Sequence, residues 1–102
     1  MRYGYIGSMR TRPGRRDEVV GILLLGADGL GAVGCELYAV GTDPEDVDLI
    51  WVTEIWDTAE HHEESLELPD VKAAIAAAMP MLTGEFTRQE LTVVGGLGVR
   101  AG

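Results

Sequence analysis

The stretch from Leu49 to Leu82 constrains the fold most; it runs LIWVTEIWDT, AEHHEESLEL, PDVKAAIAAAMPML. Successive side chains of a strand point to opposite sides, so Leu49, Trp51, Thr53 and Ile55 share one face and Ile50, Val52, Glu54 and Trp56 the other. Both faces are mostly apolar. Such a strand needs cover on both sides, and it carries one carboxylate, Glu54, among large apolar neighbours. The period then changes. Asp57 or Thr58 can cap a helix whose apolar stripe is Ala59, His62 and Leu66. Pro69 lacks the N–H that a helix interior needs, so it ends this helix and seats the first turn of the next. There Val71, Ile75, Met79 and Leu82 recur at helical spacing.

The flanking sequence supplies the remaining elements. Arg2 to Thr11 alternates as a first strand and ends at the turn signal Arg12-Pro13-Gly14. Asp17 and Glu18 suit the first turn of a helix carrying Val19, Val20, Ile22, Leu23 and Leu24, broken only by Gly21. Gly26 to Gly34 reads as a loop. Cys35 to Val40 is a second strand, with Cys35, Leu37 and Ala39 on one face and Glu36, Tyr38 and Val40 on the other. After an acidic connection, Gly41 to Asp48, come the central strand and the two helices. Gly84-Glu85 reads as a turn, Thr87 to Val94 as a last strand, and 95–102 as a loose tail behind one domain, 1–94.

The order strand, helix, strand, strand, helical hairpin, strand is that of the ferredoxin-like βαββαβ fold, an α+β plan with helices on one face of an antiparallel sheet. One helix layer hides only one face of the central strand. Burying a large apolar side chain is worth roughly 1.5–3 kcal/mol, so the other face, carrying either Trp51 or Trp56, calls for a second copy of the chain. A homodimer through the sheet face is expected.

Charge narrows the partners. Acidic residues outnumber basic ones 17 to 8, for a formal charge of −9, which argues against nucleic acid and anionic membranes. The basic residues Arg2, Arg10, Arg12, Arg15 and Arg16 crowd the front, where they form either a local anion site or a solvated loop and helix start. No apolar run reaches the length of a membrane span, and Met1 to Arg10 lacks the apolar core of a signal peptide. The single Cys35 excludes an internal disulfide and agrees with a cytoplasmic location.

Gly29-Leu-Gly31-Ala-Val-Gly34 matches the dinucleotide pattern G-x-G-x-x-G but lacks its context. Such a fingerprint opens a full helix, whereas Cys35 to Val40 is short, alternates as a strand and is closed by Gly41-Thr42-Asp43-Pro44. His61-His62-Glu63-Glu64 looks metal-like, but neighbouring helix positions do not converge and no H-E-x-x-H spacing exists, so no metal is expected.

Taken together, Arg12-Pro13-Gly14, Gly34-Cys35 with Tyr38, Glu54-Ile55-Trp56, His61-His62, Leu68-Pro69-Asp70-Val71-Lys72 and Met79-Pro80-Met81-Leu82 resemble the antibiotic biosynthesis monooxygenase family. The likeness runs from Tyr3 to about Val94. It implies a dimeric α+β barrel, related to quinol and anthrone monooxygenases, that oxidises a flat aromatic with O2 and no cofactor. Oxygenases of this kind bind an electron-rich ring, assist loss of its proton and exclude bulk water. Two positions depart from many relatives: Ser65 stands where a second histidine follows the first, and Val52 where some oxygenases have asparagine. Haem-binding relatives place an axial histidine on the long helix; Val71 to Leu82 contains none.

The chemistry can rest on few side chains. Glu54 shares a strand face with Trp56 and is either a general base with a raised pKa or a structural carboxylate. His62 is either an acid–base group or a satisfied buried histidine. Trp56 walls a pocket or packs in the core. Tyr38, Tyr3 and Tyr5 can donate to a quinone oxygen, while core or interface packing accounts better for at least two of them. Leu66, Ile75 and Met79 would line the substrate's apolar surface, and the alanines from Ala73 to Ala78 either admit a neighbouring element or leave room for a ligand. A non-catalytic, ligand-binding dimer is the competing reading.

Overall fold

A computed structural model describes residues 1–99. The elements are β1 (Arg2–Thr11), α1 (Arg16–Gly26), β2 (Cys35–Thr42), β3 (Leu49–Trp56), α2 (Ala59–Ser65), α3 (Pro69–Ala78) and β4 (Leu82–Val93), with 3-10 turns at Leu30–Val33 and Met79–Met81. The strands form one antiparallel sheet in the order β2-β3-β1-β4. This is the ferredoxin-like α+β plan.

The alternation of β3 decides which face is which. Ile50, Val52 and Trp56 are buried and Glu54 is 9 % exposed, whereas Trp51, one residue out of phase, is 38 % exposed. Val19 of α1, Ala78 of α3, Met81 and Leu82 close over Ile50 and Val52 as the core. The helices therefore cover the Glu54–Trp56 face. On the opposite face Trp51, Leu37 and Leu91 stay exposed. The register carries the covered face across the sheet: Trp56, Glu54 and Val52 stand opposite Tyr3, Tyr5 and Gly7 of β1, which in turn oppose Thr92, Glu90 and Arg88 of β4.

Local chemistry sets the helices. Thr58 caps α2, its hydroxyl accepting the His61 N–H at 3.0 Å, and Pro69 occupies the first turn of α3. A Cβ on Gly26 would come within 2.9 Å of the Ala74 Cβ, so α1 and α3 meet through these small residues. The alanine run thus serves two purposes: Ala74 admits α1, and Ala78 is buried in the core.

Three local readings change. β4 begins at Leu82, ahead of the expected Thr87, because a bulge absorbs the presumed turn: the register jumps from Met9–Phe86 to Thr11–Leu82, with Gly84 at φ +94°. A second irregularity, in β2, pairs Cys35 with Trp56 but Leu37 with Ile55, so Cys35 falls out of phase with Leu37. The glycine-rich stretch holds a 3-10 turn flanked by left-handed Gly29 and Gly34, and β2 follows it directly. No dinucleotide-type helix forms there.

The front arginines are engaged internally. Arg2 pairs with Glu36 at 2.9 Å, Arg10 with Asp46 and Glu85 at 2.8 and 2.7 Å, and Arg15 with Glu18 at 2.8 Å. Arg16 donates to the Asp43 and Asp46 carbonyls at 3.3 and 2.8 Å. Among the described residues no helix is long and apolar enough to cross a membrane. Of the expected tail, residues 96–99 close a turn through the Val99 N–H and the Gly96 carbonyl, 3.2 Å apart; 100–102 lie outside the described residues.

Candidate active site

A cavity of about 360 Å³ lies between the covered sheet face and the helices. It collects all seven side chains singled out from the sequence: Glu54 and Trp56 from β3, Tyr38 from β2, His62 and Leu66 from the α2 region, and Ile75 and Met79 from α3 and the turn after it. Trp56 is 1 % exposed and forms the deep wall, while Leu66, Ile75, Met79 and Phe86 are 44–52 % exposed and give the opening an apolar rim.

At the deep end the Trp56 indole N–H donates to Glu54 Oε1 at 2.9 Å. His62 Nε2 stands 3.9 Å from the same oxygen, with both side chains nearly buried. Burial pushes the Glu54 carboxyl above its ordinary value, opposed by the Trp56 hydrogen bond and by charge on His62. A carboxylate in an apolar enclosure with one donor and one imidazole nearby is poised to take a proton.

The imidazole is held by rings on three sides. Tyr3 and Tyr5 lie at centroid distances of 5.0 and 5.7 Å, the latter nearly parallel, and Trp56 meets it edge-on at 5.5 Å. The Ser65 hydroxyl donates to the His62 carbonyl at 2.6 Å, so this side chain is committed to the helix backbone. Val52 is core. Neither position adds a titratable group to the cavity. His61 turns to Asp57, Nδ1 to Oδ1 2.8 Å, and does not line the cavity.

The phenols remain protonated near neutral pH. Burial, reinforced by the charge of Glu54, raises both Tyr38 and Tyr5, and Tyr3 is pushed up to about 12 by burial and by its bond to Glu90. They act as neutral hydrogen-bonding groups. Among the described residues no cluster of three metal-ligating side chains exists.

Sequence reasoning missed Phe86 and Arg88 as lining groups, and left Tyr5 undecided. Tyr5 is explained by its neighbour: a Cβ on Gly7 would stand 2.8 Å from the Tyr5 ring and hydroxyl, so the ring lies along the strand where glycine leaves space. Over that ring sits the Arg88 guanidinium, 5.9 Å from its centroid. The signal for Arg88 was its place in β4, in phase with Phe86 and opposite Gly7.

The comparisons with known proteins agree with this fold. The family model for antibiotic biosynthesis monooxygenases matches residues 2–77. A protein of Chloroflexus aurantiacus J-10-fl, named a putative antibiotic biosynthesis monooxygenase, is 45 % identical; the match covers 94 % of this chain and 96 % of that one, with a TM-score of 0.86. A similarly named protein of Caulobacter crescentus CB15, 21 % identical over 92 % of this chain and 91 % of its own, shares the fold with a TM-score of 0.84. No curated protein matches the chain. With the family pattern extending over three quarters of the sequence and the same architecture in these relatives, this chain belongs to the antibiotic biosynthesis monooxygenase family.

Proposed function

We propose that this protein is a cofactor-independent monooxygenase that oxidises a quinol, anthrone or other polycyclic phenol with O2, working in the cytoplasm as a homodimer joined through the Trp51 face of the sheet. The folded unit is residues 1–94. The single observation that carries the reading is the Glu54–His62 pair, 3.9 Å apart, at the deep end of an apolar cavity of about 360 Å³. A volume of this order fits a flat multi-ring molecule.

For an anthrone the steps balance as follows. Glu54, assisted by His62, takes a proton from the ring methylene or its enol. The resulting carbanion passes one electron to O2, and the substrate radical recombines with superoxide as a C–O bond. Protonation gives a hydroperoxide, which loses water to leave the new carbonyl: one oxygen atom enters the product and the other leaves as water. Trp56 stacks against the substrate, Tyr38 donates to its oxygen, and Leu66, Ile75 and Met79 cover its apolar surface.

Oxygen uptake with a panel of quinols and anthrones tests the proposal. Consumption of one O2 per turnover, with a carbonyl product and no added cofactor, is the expected result. Binding without uptake would favour a ligand-binding dimer, a reading supported by Val52 and Ser65, which contribute no titratable group to the cavity.

A further inference from the structure

We propose that the cavity takes an aromatic carrying an ionised carboxylate, and that Arg88 holds this group at the opening while the rest of the ring system reaches toward Trp56. This deepens the reading above, since it rests on the cavity being the ligand site.

The charges around the cavity are segregated. Its deep end carries Glu54, which disfavours an anion there. Among the described residues lining it, Arg88 alone is a permanent cation, and it lies at the exposed end beside Phe86. By strand spacing and rise the Glu54 and Arg88 backbones stand about 12 Å apart, on two strands separated by β1. That span accommodates a fused-ring acid whose carboxylate meets Arg88 while its reacting middle ring faces Glu54.

Two contacts bias the exposed Arg88 side chain. Its guanidinium lies 5.9 Å from the centre of the Tyr5 ring, a distance at which a cation is attracted to the ring face. The Tyr5 ring is itself laid along the strand by the absence of a side chain at Gly7. One guanidinium nitrogen, Nη2, donates to Glu90 Oε1 at 2.8 Å, and the two side chains are 64 and 56 % exposed. A pair so exposed contributes at most about 1 kcal/mol. A ligand carboxylate that engages the guanidinium in a forked pair forms the stronger contact. Glu90 keeps its second donor, the Tyr3 hydroxyl at 3.1 Å. The chain's formal charge of −9 repels anions in general, so a preference for an acid at this opening identifies a specific contact.

The test compares anthraquinone-2-carboxylate with its primary amide by tryptophan fluorescence quenching at pH 7.5, in the wild type, Arg88→Gln and Arg88→Lys. The expected result is about tenfold tighter binding of the acid by the wild type, weakened by salt. In R88Q that preference disappears while amide affinity stays within about twofold; R88K keeps part of it. Equal affinity for acid and amide in the wild type, or a preference that survives in R88Q, would overturn the assignment of Arg88 and leave the oxygenase reading intact. Failure of both probes to bind would remove the aromatic-substrate reading and this proposal together. Selective binding of the acid, with no oxygen uptake from the quinol and anthrone panel, would overturn only the oxygenase reading.

Discussion

Glu54→Gln is expected to cut oxygen uptake by about 10²–10⁴-fold, the usual contribution of a general base, while making the protein harder to melt at neutral pH. The two effects have one cause. The folded protein holds the Glu54 carboxyl above its ordinary value of 4.5, chiefly by burial, so it binds the proton more tightly than the unfolded chain does. Stability from this group is complete below pH 4.5 and is lost as pH rises through the folded value. Glutamine removes the ionisation and still offers a carbonyl to the Trp56 indole N–H. Melting temperatures should therefore be similar for variant and wild type in acid, and diverge in favour of the variant as pH rises. A variant that loses activity and also melts lower at pH 7 would assign Glu54 a structural role.

Trp56→Ala and Trp51→Ala should fail in different ways although the two residues lie five positions apart on one strand. Trp56 is almost fully buried and donates to Glu54. Its removal is expected to lower stability by about 3–5 kcal/mol, leave the carboxylate without its donor, and abolish ligand binding. Trp51 is on the open face, 38 % exposed, with its indole N–H on Asp43 at 3.3 Å. Its removal is expected to weaken the proposed homodimer by about 2 kcal/mol, or about thirtyfold in Kd, with the cavity's ligand affinity retained at protein concentrations that keep the dimer. Denaturant unfolding, sedimentation and probe binding separate the outcomes. Equal activity loss with equal unfolding in both variants would remove the division of the strand into a site face and an interface face.

The parts of this fold that are legible in the sequence are those where one period governs a whole element. β3 alternates without interruption, and its Ile50, Val52, Glu54 and Trp56 face is the one the helices bury. Pro69 marks the joint between α2 and α3 because a missing N–H has only one comfortable place in a helix. Legibility fails where a bulge changes the phase. Gly84 reads as a turn, yet it is a kink inside β4, and the pairing of β4 with β1 continues on both sides of it. Phe86 and Arg88 were overlooked for that reason: a lining residue on an edge strand is recognisable only once its register with Tyr5 and Gly7 is known. Cys35 illustrates the same physics in β2, where a one-residue irregularity shifts its phase relative to Leu37. The convergence of Tyr3, Tyr5 and Trp56 on His62 is likewise a product of pairing between β1 and β3, because Tyr3 and Trp56 are neighbours only across the sheet.

The indole N–H of Trp56 points at the one carboxylate whose protonation the chemistry would use. An indole excited by light redistributes its electrons, and the negative charge beside its nitrogen shifts the colour of what it emits. When Glu54 gains a proton that charge disappears. The protein thus carries a built-in optical indicator of the Glu54 charge, separable from the Trp51 signal by W51A, and the titration of this carboxyl can be followed in the unlabelled protein.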